Sequence, residues 1–160
     1  MSTMTDPYTG LLSFQEALTA KIISPSPCLL HKDIFMLQDT PEGNQRLTYA
    51  LIDDGVVKGT VVFIFAPPLN GEHCFGMAYS VAENFRKQGV GSDLVKRCLE
   101  EFKSGMKGKV KSYYIEALVG TNNIPSQKIA SKLLSQTPKQ TTDKVSGLPA
   151  LHYTRLFSYP

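Results

Sequence analysis

The 160 residues contain no apolar run that would span a membrane; the longest candidate, residues 56–69, is cut by Lys58 and Gly59. Residues 1–10 lack a basic patch followed by an apolar core, so no secretory leader is expected. Cysteine is scarce: Cys28, Cys74 and Cys98 are odd in number and far apart, matching neither a disulfide framework nor a zinc-ligand spacing. A reducing cytoplasm and no metal are the expectation. Charge imbalance is also small. A net +3 is too weak to argue for nucleic acid, and Lys103, Lys107, Lys109 and Lys111 read as a solvated helix end. No internal repeat or low-complexity segment is present. What is there, 42% apolar and 19% charged residues, is the make-up of a globular chain with a sizeable core. We expect a loose tail over residues 1–12 and one domain over residues 13–160.

Along the chain, Phe14, Ala17, Leu18 and Ile22 mark one face of a short helix with Ser13 as N-cap. Ser24-Pro25-Ser26-Pro27 breaks it. Residues 29–38 read as a strand. Residues 47–52 and 56–66 flank Asp53-Asp54-Gly55, a tight hairpin signal, and Pro67-Pro68 is expected to end the second of them. Asn70-Gly71 turns the chain into a strand at 73–81. After it Leu94, Val95, Cys98, Leu99 and Phe102 line one helical face, closed by Gly105 and Gly108. Residues 113–119 form a short buried strand, Pro125 suits the first turn of another helix, and Ile129, Ala130, Leu133 and Leu134 give its apolar face. A loop with a short strand near 141–146 leads to a last strand at 151–157. A strand–helix–strand unit set between hairpins predicts an α+β fold around a mixed, mostly antiparallel sheet.

The chain is organised around residues 77–95: a buried strand, a polar turn with Gly89 and Gly91, and a helix starting at the second glycine. Backbone amides at 87–92 can approach a ligand closely where there is no Cβ. The unpaired N–H groups and the positive end of a helix add to them, making a seat for a phosphate or pyrophosphate.

Arg86-Lys87-Gln88-Gly89-Val90-Gly91 resembles the R/Q-x-x-G-x-G/A signature of the GNAT acyltransferase superfamily. One helix and one strand later, Asn123-Ile124-Pro125-Ser126-Gln127-Lys128-Ile129-Ala130-Ser131-Lys132 resembles the N-x-x-S-x-R/K-V/I-A-x-K form of the ribosomal-protein N-terminal acetyltransferase branch. The resemblance implies the GNAT acyl-CoA N-acyltransferase fold, acetyl-CoA as cofactor and acetyl transfer to a primary amine by direct attack. Amides from Lys87 through Gln88, Gly89, Val90, Gly91 and Ser92 would hold the pyrophosphate, with charge from Arg86 and Lys87. The backbone of Val81 and Glu83 would pair with the pantetheine arm, the Val81 amide would sit near the acetyl carbonyl, and Asn123 and Ser126 would contact the cofactor from the second helix. Lys128 or Lys132 could reach the 3′-phosphate. Two departures stand out. Ala130 occupies the place where many relatives carry a tyrosine acid, and Leu133-Leu134-Ser135 replaces the usual Gly-Phe. The first leaves open a CoA-binding or interaction domain without catalysis, and Phe75, Met77 and Leu118 would decide whether a longer acyl chain fits.

Attack on a thioester needs a neutral amine, hence a base. His73, thirteen residues before Arg86, is the first candidate, at a place where some relatives carry a glutamate base. Glu72 is second, although strand alternation points it to the other face. Tyr79 reads as core, with a hydroxyl able to reach the cleft. Glu116 reads as a structural buried carboxylate, and His152 and Tyr153 are candidate acids on the last strand. Acceptor choice would rest with residues 14–31 and 137–149. Neither carries an acidic cluster, and Lys139, Lys144 and Arg155 lean toward an acidic or neutral acceptor. The expected partner is an amine, small molecule or protein, with the chain a monomer or homodimer and no membrane or nucleic acid involved.

Overall fold

The Asp6 carboxylate accepts a hydrogen bond from the Tyr8 N–H at 3.1 Å, and Pro7 follows it with a preset φ. Helix α1 (Pro7–Thr19) therefore starts six residues before the expected Ser13 cap, and residues 7–12 are not loose tail. The computed structural model describes residues 6–160; the rest of the expected tail, residues 1–5, lies outside them. Leu11 and Phe14 are the buried residues of α1, so the apolar face opens earlier than Phe14. Ile22 does not extend it: the helix stops at Thr19, Lys21 turns with φ 60° and Ile22 is exposed.

The described residues fall into two units, one running to Ile64 and resuming over Ala78–Met106, the other made of Phe65–Met77 and Lys107–Pro160. In the first, β1 (Ser26–Pro27), β2 (Ile34–Asp39), β3 (Arg46–Asp53) and the front of β4 (Val56–Leu69) pair antiparallel in that order, followed by the end of β5 (Glu72–Val81). The strand expected at 29–38 begins only at Ile34 and runs to Asp39, and β1 lies ahead of the expected range. Asp54 and Gly55 adopt φ 51° and 76°, the left-handed pair that lets a two-residue loop match the twist of its strands. Helix α1 sets Leu11 and Phe14 on Ala50 and Val57, and Gln15 fastens it by donating to the Gly55 carbonyl at 3.0 Å and accepting from the Val57 N–H at 2.7 Å.

Helix α2 (Val90–Met106) buries Leu94, Val95, Cys98, Leu99 and Phe102. It passes Gly105 and gives way only before Gly108, at φ 83°. Phe102 stacks on Phe63 at 4.4 Å between centroids, and Tyr49 meets Phe63 edge-on at 5.6 Å. Glu101, also buried, accepts from the Leu30 and His31 N–H groups at 3.3 and 2.6 Å, pinning the loop before β2. Glu101→Ala strands both donors, and we expect it to lower unfolding free energy by about 1–3 kcal/mol in a urea titration. A midpoint equal to that of the native chain would show the loop is held by other contacts.

In the second unit β4 runs on through Pro67-Pro68 to Leu69 instead of ending at the prolines. The ladder from β3 finishes at Ile64, so beyond it that side of the strand needs no N–H donors and proline is tolerated. Asn70 and Gly71, at φ 50° and 79°, make the turn into β5. The start of β5 pairs parallel with β6 (Ser112–Gly120), from His73 opposite Tyr113 to Gly76 opposite Glu116. Helix α3 (Ile124–Leu133) carries Pro125 in its first turn, as expected. The short strand β7 (Lys139–Thr142) starts two residues before the expected 141–146 and overlaps it at Thr141 and Thr142, and β8 (Pro149–Ser158) pairs antiparallel with both β6 and β7. The order here is β4-β5-β6-β8-β7. Tyr113 is the ring at its core, stacked on Phe157 at 5.4 Å and met edge-on by Phe75 at 5.9 Å. Together the eight strands and three helices among the described residues form a mixed, mostly antiparallel α+β sheet fold, as expected. None of these helices is long and apolar enough to cross a membrane.

Candidate functional site

In the first unit β5 ends at Val81, and the Ala82 N–H bonds the Lys58 carbonyl at 2.8 Å, fixing where the chain leaves the sheet. A single 3-10 turn, Glu83–Phe85, follows. Arg86 then folds back: its Nε donates to the Val81 carbonyl at 3.0 Å and its guanidinium lies 4.7 Å over the Tyr8 ring. The Gln88 amide donates to the Asn84 carbonyl at 3.2 Å, closing the turn from inside. Lys87 and Gly89 are left-handed at φ 61° and 77°, flanking Gln88, and all three are exposed. Helix α2 begins at Val90, one residue ahead of the expected Gly91, with the Asp93 N–H returning to the Gly89 carbonyl at 3.3 Å.

This geometry sets a left-handed turn at a helix start. The first-turn N–H groups have no acceptor within the helix, and the helix dipole adds positive potential there. A Cβ built on Gly89 meets nothing within 4 Å, so the requirement for glycine is its left-handed φ, and the space beside it is open. Asp93 would oppose an anion, but its carboxylate is paired with Arg97 Nε at 3.0 Å, and Arg97 also holds Asp33 at 2.8 Å. Two of the residues assigned to the cofactor are already engaged. The Val81 carbonyl accepts from Arg86, and the Glu83 carbonyl accepts from the Arg86 N–H at 3.4 Å. Tyr79, half-buried, is the one catalytic candidate in this unit.

In the second unit Asn123 caps α3, its Oδ1 accepting from the Ser126 N–H at 3.2 Å. Lys128 and Lys132 are exposed along a groove of about 510 Å³ lined also by Ile124, Gln127, Ser131 and Tyr153. Ala130 is fully buried. Glu72 accepts a very short hydrogen bond from the Ser112 hydroxyl, and His73 is exposed at the amino end of the parallel ladder.

A cluster that sequence reasoning did not join lies further along the face that carries Glu72 and Ser112. Glu116 Oε1 is 2.8 Å from His152 Nε2, and Cys74 is buried on the neighbouring strand β5. The His152 bond holds the Glu116 carboxyl below its ordinary value, against the opposing effect of burial. Burial, then the Glu116 charge, pushes the Cys74 thiol up to about 12, so it stays protonated and is no nucleophile. Thirty-six residues separate Glu116 from His152, and only the β6–β8 register brings them together. Alternation along each strand was the one usable signal. Among the described residues no His, Cys, Asp and Glu group is arranged to hold a metal ion.

A mixed sheet whose central strand runs through a glycine turn into a helix is the architecture of an acyl-CoA-dependent transferase family. Residues 15–134 match the model of the acetyltransferase (GNAT) family, and the chain belongs to that family. Solved structures share the fold. The GNAT-family acetyltransferase from Streptococcus pneumoniae is 14% identical with a TM-score of 0.54, over 71% of this chain and 67% of that one. RimJ from Mycobacterium smegmatis, in complex with CoA-disulfide, is 15% identical with a TM-score of 0.53, over 72% of this chain and 55% of its own. RimL, a ribosomal L7/L12 alpha-N-protein acetyltransferase, is 15% identical with a TM-score of 0.51, over 72% of each chain. No curated protein sequence matches the chain.

Proposed function

We propose that the chain is an acetyl-CoA-dependent N-acetyltransferase that carries an acetyl group to a primary amine by direct attack. The observation that carries this reading is the left-handed pair Lys87 and Gly89 opening onto the start of α2, an amide-lined seat for a pyrophosphate. Family membership and the CoA-disulfide complex of RimJ support the same cofactor. When bound, the cofactor supplies the activated acetyl thioester. Amides from Lys87 to Ser92 hold its pyrophosphate, and the Lys87 ammonium adds charge. The Arg86 guanidinium, tied to Val81, stiffens the turn and contributes its charge from there. The Val81 N–H stabilises the oxyanion as the carbonyl becomes tetrahedral. Most of the rate comes from positioning amine and thioester together. The acceptor classes are a protein N-terminus, a lysine side chain and a small amine. The name of RimL favours the first.

One observation favours a second reading, a CoA-binding domain without turnover. Ala130 sits fully buried where many relatives place a tyrosine acid, so that position supplies no proton. Acetyl-CoA titration by calorimetry, followed by thiol release against N-terminal peptides and amines, separates the two. Binding with acceptor-dependent thiol release is expected. Binding without release on any acceptor favours the second reading, and absence of binding removes both.

A further inference from the structure

We infer that β7 is a pairing edge for a second copy of this chain, joining two sheets antiparallel across a two-fold axis at Thr141. The interface lies wholly within the second unit and does not depend on the acetyltransferase reading. In the order β4-β5-β6-β8-β7, β7 has β8 on one side and, among the described residues, no strand on the other. All of its residues are exposed. An open strand edge is a row of unpaired N–H and C=O groups, and natural sheets commonly block it with proline, a bulge or an inward charge. The opposite margin of this unit is blocked in that way, because β4 carries Pro67 and Pro68 past the end of its β3 ladder at Ile64. β7 contains no proline and pairs with β8 in one unbroken register, from Lys139 opposite His152 to Thr142 opposite Pro149.

That register fixes which backbone groups face the open side. Just past β7 the Asp143 N–H donates to the Leu148 carbonyl at 2.9 Å, so residue 143 turns its backbone toward β8. Hydrogen-bonded and non-hydrogen-bonded pairs alternate along an antiparallel ladder. Thr141 and Lys139 therefore also face β8, while Gln140 and Thr142 turn their N–H and C=O groups to the open side. The far side of β8 agrees: the Pro149 carbonyl, opposite Thr142, points away from β7 and accepts from the Thr121 N–H at 3.2 Å. Two copies can bond only where outward residues meet outward residues. A two-fold axis at Thr141 achieves this, setting Gln140 of each copy opposite the partner's Thr142, and each such pair exchanges both of its N–H···O bonds.

Charge complementarity selects the same register. Lys139, Thr141 and Asp143 share one face, and an axis at Thr141 puts Lys139 of each copy directly opposite the partner's Asp143, at both ends of the paired segment. Among the described residues neither Lys139 nor Asp143 has an ion-pair partner in its own chain. One Asp143 oxygen accepts from the Val145 N–H at 2.9 Å, which orients the carboxylate. The neighbouring registers fit worse. An axis at Gln140 sets Thr142 against the partner's Pro138, which has no N–H to give. An axis at Thr142 sets Gln140 against the partner's Lys144, which lies in a turn. A second copy in the Thr141 register uses every outward group of β7 and matches its charges, the self-complementarity that a two-fold interface requires.

The test is sedimentation velocity on the full chain from about 1 to 300 μM, where the dimer fraction is expected to rise with concentration. Gln140→Pro removes an outward donor, leaves the β8 ladder its own bonds, and should weaken the dimer about tenfold or more with a near-native unfolding midpoint. Lys139→Asp sets aspartate against aspartate at both ends and should also weaken it about tenfold, with recovery when Asp143→Lys is added. That charge exchange serves as the test if Gln140→Pro does not fold. Thr141→Cys reads the register. A non-hydrogen-bonded antiparallel pair brings its Cα atoms to about 4.5 Å, within disulfide reach, so oxidised glutathione should link two copies through Thr141→Cys but not through Gln140→Cys. The native cysteines are buried, and the native chain treated alike should give no covalent dimer. A native chain that stays monomeric at every concentration overturns the inference and leaves the edge to an extended segment of another protein. A dimer that Gln140→Pro and Lys139→Asp both leave at native strength overturns it as well, as does linking through Gln140→Cys as readily as through Thr141→Cys.

Discussion

Gly89→Glu weakens acetyl-CoA binding by about 100-fold or more, about 2.7 kcal/mol, as read by calorimetry at moderate salt. Two effects combine at that position. The backbone stands at φ 77°, a conformation that costs an ordinary residue about 1–2 kcal/mol, so the amides on either side move out of register. A carboxylate would also project into the open space beside the turn, where nothing lies within 4 Å of a Cβ, and meet the pyrophosphate with like charge. Gly89→Asn separates the two effects. Asparagine tolerates the left-handed region and is neutral, so its affinity should stay within about tenfold of native. If Gly89→Glu binds as the native chain does, the seat is not at the start of α2.

Phe102→Ala lowers unfolding free energy by about 3–5 kcal/mol in guanidinium or urea. Phe102 is 1% exposed and stacks on Phe63, itself met edge-on by Tyr49, so truncation leaves a cavity between α2 and the strands that neighbouring rings cannot fill without breaking their own contacts. Phe102→Leu keeps most of the volume and should lose less than half as much. A loss below about 1 kcal/mol for Phe102→Ala would mean that α2 is not anchored through this ring.

The parts of the fold legible beforehand are those where local chemistry leaves one solution. Asp54-Gly55 and Asn70-Gly71 demanded left-handed backbone and both form tight turns. The apolar spacing of Leu94, Val95, Cys98, Leu99 and Phe102 marked the buried face of α2, and all five are buried. Expectation failed where the deciding partner is remote. Pro67-Pro68 reads as a strand terminator, yet β4 continues because the β3 ladder has already ended at Ile64. Counting the apolar face from Phe14 makes Ser13 the cap, while Leu11, already buried, carries the face back toward the N-terminus, where Asp6 caps it.

The candidate site divides in the same way. The glycine turn is contiguous: Lys87, Gly89 and the helix behind them lie within a few residues, and backbone preference alone dictates their conformation. From residues 86–91 and 123–132 the amino-acid sequence by itself determined the family, the α+β class and the position of that turn. Tertiary structure decided what the separated residues do. It tied Arg86 to the Val81 carbonyl, bonded Glu72 to Ser112, left His73 at the amino end of its ladder, and joined Glu116 to His152. Each of these depends on a chain reversal or strand register set by packing rather than by local propensity. A shift of one residue in the β6–β8 register would put His152 on the opposite face from Glu116, and nothing in the residues near either one specifies that register.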